Sequence, residues 1–460
     1  MKNLKSPHDR NPHFERDWTE GSIIRNLLSL SWPLIITNSL TMLGPTIDMV
    51  WVGKLGSASI AGVGVAGMAV MMIDSARMGL NMGTRALIAR AIGADDIQEA
   101  NLVAQQAFVI SGAFSIFLAI IGIFLSEIIL GLFGLEQDVI AEGAVYMRIM
   151  FIGAVAMSFR FMADGIMQSS GDTVSPMKIA VFFRLFHVVL CPFLVFGWWI
   201  FPRMGVSGAA ITNVISQSTG LVIAMWVLFT GRSRLKPTLR NFRLDLGTIW
   251  RIVKVGIPSS VMAMGRNFGH LLLMRLVAPF GTLAVAGHTL VQRIEMIIFM
   301  PSFAVGMSSG VLAGQNLGAM KPERAEKGSW IALGLVEVLM TIFALIIFFW
   351  AEEVTRVFNS EPEVVKTTAS FLRIAYIGFF ALAFEAVIGM SISGSGDTLP
   401  PMLVTILVIW IVQLPLSYFL PLVNDLGIYG IRWAIVIGLA VGAIVYGLYF
   451  KLGRWKQKKI

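Results

Sequence analysis

The feature that most restricts this chain is a set of long apolar runs with almost no charge. Residues 102–126 and 402–424 contain no Asp, Glu, Lys or Arg, and residues 331–350 contain only Glu337. About 20 apolar residues cross a bilayer core as helix, and only helices or closed barrels satisfy their backbone there. The runs are much longer than the alternating ten-residue segments of a membrane barrel, so helices are expected. Composition agrees: charged residues make up 14% and the mean hydropathy is +0.77, against roughly 25% charged in soluble chains. The expected class is all-α integral membrane.

Apolar runs broken by Gly, Pro and charge predict twelve spans, near 24–52, 58–90, 99–126, 138–169, 173–197, 206–230, 249–278, 283–315, 324–350, 363–394, 398–421 and 428–450. The segment before them is polar and mixed in charge, with no apolar core or cleavage site, and reads as a tail rather than a signal peptide. The net charge of +9 concentrates in Arg232–Lys254 and Lys451–Lys459, both flanking apolar spans. That is the positive-inside pattern, so the charge reports topology rather than nucleic-acid binding. An even span count then puts both termini in the cytoplasm, in a plasma or inner membrane. The single cysteine, Cys191, rules out an internal disulfide.

The chain also repeats itself. Pro33 falls on Pro258, an offset of 225, and the same offset places Gly56 on Gly281, Gly93–Ala94 on Gly318–Ala319, and Arg148–Ile149 on Arg373–Ile374. Gly171–Asp172–Thr173 falls on Gly396–Asp397–Thr398, and the register slips by three near the end, where Gly205 and Gly208 meet Gly427 and Gly430. Six spans per copy is even, so the copies are parallel repeats, an arrangement that builds transporters around a central cavity. The expected division is a tail 1–22, an N-lobe 23–230, a basic linker 231–248, a C-lobe 249–450 and a basic tail 451–460.

No GxxxxGK[ST] phosphate loop is present, which excludes ATP hydrolysis by this chain. Gly306-Met-Ser308-Ser-Gly310 matches a nucleophile-elbow pattern, but it lies inside a predicted helix rather than a strand–turn–helix. Small residues at a helix contact explain it, and no enzyme activity, cofactor or metal site is expected.

The length, the 6+6 repeat and several paired motifs resemble the multidrug and toxic compound extrusion (MATE) transporters. The motifs are "ARAIGADD" after span 2 echoed by "AGQNLGAMKPERA" after span 8, "SSGDT" and "GSGDT" after spans 4 and 10, and "VGIPSS" opening span 7. The resemblance covers essentially the whole chain. It implies a V-shaped two-lobe fold and antiport of bulky, usually cationic organic molecules out of the cell, driven by protons or sodium.

Ionisable residues at bilayer depth cost roughly 2.5 kcal/mol or more, so each is expected to be paired, cavity-facing or functional. Asp48, three residues after Pro45 in span 1, has only apolar neighbours. Burial favours the protonated form of a carboxyl, and Pro45 frees carbonyls that could help hold a cation. The resemblance also implies a coupling role, because a first-span Asp recurs in the archaeal and DinF-like branches. In span 5, Arg184, His187 and Cys191 share one face. The family often has Asn at the His187 position and Asp at the Cys191 position, so the second acid is missing; His187 is a candidate second titrating group or a packing residue.

The cavity candidates are Asp74, Arg160, Asp164, Arg184, Arg266, His270, Glu295 and Glu385. Asp74–Arg77 and Arg160–Asp164 are spaced to form ion pairs within a helix. The 225 offset sets Arg160 opposite Glu385, a candidate cross-lobe latch or substrate contact. Arg266 stands where sodium-coupled NorM-like members carry Glu, which favours proton over sodium coupling. The twin Asp172 and Asp397 read as helix caps. The expected function is proton-driven export of organic, cationic, amphipathic compounds through Asp48 by a single copy of the chain embedded in lipid. Export of anionic or zwitterionic metabolites, or flipping of lipid-linked precursors, are the alternatives.

Overall fold

The computed structural model describes residues 17–131, 136–238, 242–423 and 426–460. Among these the chain is all helix, with no strand. The first copy comprises α1 (Ile23–Val52), α2 (Ser57–Gly93), α3 (Ile97–Gly131), α4 (Gln137–Ile152), α5 (Ala154–Ser169), α6 (Val174–Phe196) and α7 (Gly205–Phe229). The second comprises α8 (Leu246–Val277), α9 (Thr282–Gly318), α10 (Pro322–Arg356), α11 (Pro362–Phe384), α12 (Met390–Gly394), α13 (Leu399–Ile406), α14 (Leu414–Phe419) and α15 (Ile428–Leu452).

Local chemistry sets the boundaries. The Ser22 hydroxyl accepts from the Arg25 amide at the start of α1, and the Asp245 carboxylate accepts from the amides of Gly247 and Thr248 at the start of α8. Proline in the first turn opens α10 and α11, where its missing N–H costs nothing. The repeat is kept at backbone level. Both ends of α2 and α9, and both ends of α3 and α10, lie 225 residues apart. Gly171 and Gly396 turn at φ 97° and 95°, and Asp95 and Met320 at φ 56° and 57°. A left-handed methionine is unfavourable by roughly 1–2 kcal/mol; its match to Asp95 shows that the turn is dictated by the helices it joins.

Among the described residues nine helical stretches, Pro362–Gly394 and Leu399–Leu422 each taken as one, are long and apolar enough to cross a membrane, and α4 with α5 makes a tenth, bent by 50°. The bend is at Gly153, where a Cβ would stand 2.3 Å from Val214 Cγ2. The two remaining spans are α2, which carries Asp74, Arg77, Arg85 and Arg90, and α8, which carries Arg251, Lys254, Arg266 and Arg275. Their repeat mates α9 and α1 pass on length and hydropathy, so twelve spans result. Four expected spans are not straight α-helices: besides the α4–α5 bend, the ninth kinks at Trp350 (φ −125°, ψ 31°), and π-turns interrupt the tenth at Glu385–Gly389 and the eleventh at Leu407–Gln413.

The copies meet along α1, α2, α8 and α9. At one end they interlock with pseudo-two-fold symmetry. A Cβ on Gly93 would lie 1.9 Å from the Gln315 carbonyl oxygen, and one on its mate Gly318 2.1 Å from the Arg90 carbonyl oxygen. Arg90 donates to Ser395 O, at 3.2 and 3.0 Å, while its mate Gln315 donates to Ser169 O at 2.9 Å. Each side chain thus covers free carbonyls at a helix end of the opposite lobe. Gly79 and Gly83 likewise lie against α8 backbone, yet a Cβ on Gly64 would meet nothing within 4 Å. Gly64 is within about 20° of the Gly93 face at 3.6 residues per turn. The lobes are therefore in contact at the end bearing the basic segments and part toward the other.

The Gly306–Gly310 segment is a helix contact, as its small residues imply. Gly306 lies under Ala386 O, Gly310 under Met390 O, and Ser309 pairs with Ser391 at 2.7 Å.

Candidate functional site

The N-lobe polar centre is assembled from α1, α4, α6 and α7. Asp48 is 0% exposed and receives three donors: His187 Nε2 at 2.9 Å and Asn213 Nδ2 at 3.2 Å, with Tyr146 Oη at 3.4 Å. Arg184 Nη1 donates to His187 Nδ1 at 2.9 Å. A guanidinium has no acceptor, so Nδ1 is the accepting nitrogen and Nε2 carries the proton given to Asp48. Arg184 thus compensates the carboxylate through one imidazole ring. Cys191 closes the group: its sulfur, a His187 nitrogen and an Asp48 oxygen lie within 4.8 Å of one another.

The proline in α1 does not leave an open carbonyl. Thr41 O, which would have bonded the missing amide of residue 45, accepts from Arg184 Nη2 at 3.3 Å. The freed oxygen expected to help bind a cation is already taken by the protein's own cation. Gly44 makes this possible, since a Cβ there would stand 2.4 Å from Arg184 Nη1.

A second network lies beside it. Arg160 pairs with Asp164, bonds Gln217 Oε1, and sits over the Phe183 ring at 4.6 Å. Arg85 Nη1 reaches Gln168 Oε1, Asn81 donates to Phe161 O at 2.9 Å, and both α2 residues thereby tie onto α5. Asp74 pairs with Arg77 at 2.5 Å, the acid half-exposed and the arginine buried.

In the C-lobe, Arg266 pairs with Glu385. Arg160 and Glu385, set opposite each other by the repeat, thus each pair within their own lobe, and no cross-lobe latch joins them. His270 Nδ1 is 3.4 Å from Gln292 Nε2, and Glu295 is 3.6 Å from Arg432 Nη1. At the positions matching the N-lobe centre, Leu273 replaces Asp48, Val412 replaces His187, Ile409 replaces Arg184 and Phe371 replaces Tyr146. Even the glycine contact repeats, with a Cβ on Gly269 meeting Ile409 Cγ2 at 2.3 Å. The scaffold is copied and the chemistry is not.

Sequence reasoning missed Tyr146, Asn213, Arg85 and Arg432. Asn213 was findable as one of two carboxamides, with Gln217, in an otherwise apolar run. Arg432, only 2% exposed and 5.3 Å from the Phe371 ring, lay close to a predicted span end and was passed over. The twin aspartates diverge: Asp172 caps α6 through the Ser175 amide, whereas Asp397 accepts from Tyr449 Oη and pairs with Lys458 at 3.1 Å.

The MatE family model matches residues 33–193 and 258–419, two segments whose starts are 225 residues apart. The chain is 26% identical over 456 residues to the probable multidrug resistance protein NorM of Thermotoga maritima, covering 95% of this chain and 94% of the relative. It is 27% identical over 451 residues to the probable multidrug resistance protein YpnP of Bacillus subtilis, covering 96% and 98%. Among solved structures, MATE in the bent conformation superposes with a TM-score of 0.89 at 25% identity, covering 95% of this chain and 96% of that one. A MOP superfamily transporter from Pyrococcus furiosus superposes with the same score and identity, covering 96% and 98%. With the first five spans of each copy matched and the relatives aligned over more than nine-tenths of the chain, the chain belongs to the MatE family.

Proposed function

We propose that the chain is a proton-driven antiporter that exports amphipathic organic compounds across the plasma membrane, with Asp48 as the coupling acid. The observation that carries this reading is the donor set around Asp48: a ring N–H, a carboxamide N–H and a phenol O–H, with no second carboxylate among the described residues. Sodium needs several oxygen ligands around it; here N–H donors already occupy the carboxylate. A proton needs only the carboxylate. His187 acts as the donor that holds Asp48 and takes a proton itself only after Arg184 leaves Nδ1. This reading supports a position nearer the archaeal and DinF-like branch than the sodium-coupled one.

The interlocked end, which carries the basic segments, is then the cytoplasmic face, and the lobes stand open to the outside. The multidrug names of the relatives support an organic cargo. Pairing of Arg160 with Asp164 and of Arg266 with Glu385 leaves neither arginine free for an anionic cargo.

The test is efflux of a fluorescent organic cation from energised vesicles. A pH gradient should drive efflux in the unmodified chain, and Asp48→Asn should abolish it. Normal export by Asp48→Asn, or efflux driven by sodium alone, would overturn the proposal.

A further inference from the structure

The N-lobe centre holds a donor set of a different kind from the one that proton transfer requires. Cys191, His187 and Asp48 are each no more than 1% exposed, and one ligand atom from each lies within 4.8 Å of the others. Thiolate sulfur, imidazole nitrogen and carboxylate oxygen together are the ligands of zinc and its heavier congener cadmium. A fourth donor is at hand. Asn213 bonds Asp48 through Nδ2, while its Oδ1 is buried and has no partner among the described residues.

From these four side chains we infer that Asp48, His187, Cys191 and Asn213 form a site for a thiophilic divalent cation of the Zn²⁺ or Cd²⁺ type. With ligand bonds of 2.0–2.3 Å, tetrahedral donors stand about 3.4 Å apart. The His187–Asp48 contact, now 2.9 Å, opens by roughly half an ångström on that scale, and the ion takes the place of the Nε2 proton between them. Binding releases the Cys191 thiol proton to solvent and moves the His187 proton from Nε2 to Nδ1. That proton then points at Arg184 Nη1, a donor facing a donor, so the guanidinium must withdraw from the ring. Arg184 therefore sets the affinity of the site from outside it: replaced by Gln, whose carbonyl accepts from Nδ1–H, it supports the metal form instead of opposing it.

Any consequence for transport, the ion holding Asp48 out of proton exchange, rests on the coupling reading above. The binding does not, and it is measured on unenergised protein, so either can fail without the other. Cys191 is the only cysteine in the chain, which makes the sulfur signal unambiguous. Purified full-length protein in detergent is equilibrated with Cd²⁺, and the ultraviolet thiolate-to-cadmium charge-transfer band is recorded; Zn²⁺ is then added as competitor. One Cd²⁺ per chain with the band, its loss in Cys191→Ser, at least tenfold weaker binding in His187→Ala and Asp48→Asn, and about tenfold tighter binding in Arg184→Gln are expected. Thermal unfolding of each variant checks that it is folded. Absence of the band in the unmodified chain would overturn the site. So would a band whose affinity ignores His187→Ala and Asp48→Asn, since it would report a thiol acting alone.

Discussion

Arg184 lies across Gly44, its guanidinium so close that a single added methyl would stand 2.4 Å from Nη1. The sequence spacing behind that contact is duplicated, because Gly269 meets Ile409 in the same way in the other lobe. In one lobe the glycine seats a cation that steadies His187 and covers Thr41 O; in the other it seats a hydrocarbon. A substitution at the two glycines separates scaffold from chemistry. Gly44→Ala displaces Arg184 and is expected to reduce pH-gradient-driven efflux at least tenfold. Gly269→Ala crowds Ile409 and is expected to lower thermal stability by about 1–3 kcal/mol, as overpacking does, with the proton dependence of transport unchanged. Efflux and unfolding measured on both variants check this, and equal loss of coupling in both would sink it.

The lobes are held at the basic end by contacts that the proposed antiport cycle would break. Ser31 on α1 and Ser308 on α9 face each other across the interface at 2.9 Å. In a Cys191→Ser background, Ser31→Cys with Ser308→Cys is expected to form a disulfide that locks this end and stops efflux until a reductant is added. Gel mobility and efflux before and after reduction provide the readout. Transport that persists with the bond fully formed would mean that α1 and α9 do not separate there.

Arg432 is 2% exposed and, besides the Phe371 ring, has Glu295 at 3.6 Å and His288 O at 3.3 Å. Breaking a buried pair leaves a charge without its partner at a cost of 3–5 kcal/mol. Glu295 keeps 26% of its side chain exposed, so Arg432→Leu is expected to cost about 2 kcal/mol. Adding Glu295→Gln is expected to recover more than half of that. A double-mutant cycle on thermal or denaturant unfolding measures the coupling directly.

The start of α8 carries a pH-dependent cap. The Thr248 hydroxyl at 2.8 Å, then the Thr248 amide, hold the Asp245 carboxyl below its usual range, with the Gly247 amide adding to them. A lowered native value means that the cap contributes fully above the unfolded value and is lost as pH falls through the native one. Asp245→Ala is therefore expected to lower the melting temperature near neutral pH, and the deficit should close as pH drops below 3.8. A deficit that persists undiminished in acid would rule out the carboxylate as its source.

Much of the architecture could be read from particular residues. Pro33 and Pro258, inside α1 and α8, with Gly56 and Gly281 and the two Gly-Asp-Thr turns, announce the duplication, because the same residue type recurs at one constant offset. The α4–α5 bend and the π-turns at Glu385 and Leu407 were not legible. At Gly153 the helix runs against Val214, a neighbour 61 residues away that no local pattern announces.

The site divides in the same way. Asp48 and His187 were found from sequence, because a charged or ionisable residue in a run of hydrocarbon is costly wherever it sits and must have a reason to be there. Which groups answer it was decided only when α1, α4, α6 and α7 packed together. Tyr146, Asn213, Arg184 and Cys191 lie between 98 and 165 residues from Asp48 or on a helix that meets it only in three dimensions. The oxygen freed by Pro45 shows the limit most clearly. Its release follows from proline having no N–H, a covalent fact; its capture by Arg184 follows from Gly44 leaving space for a guanidinium, a fact of packing.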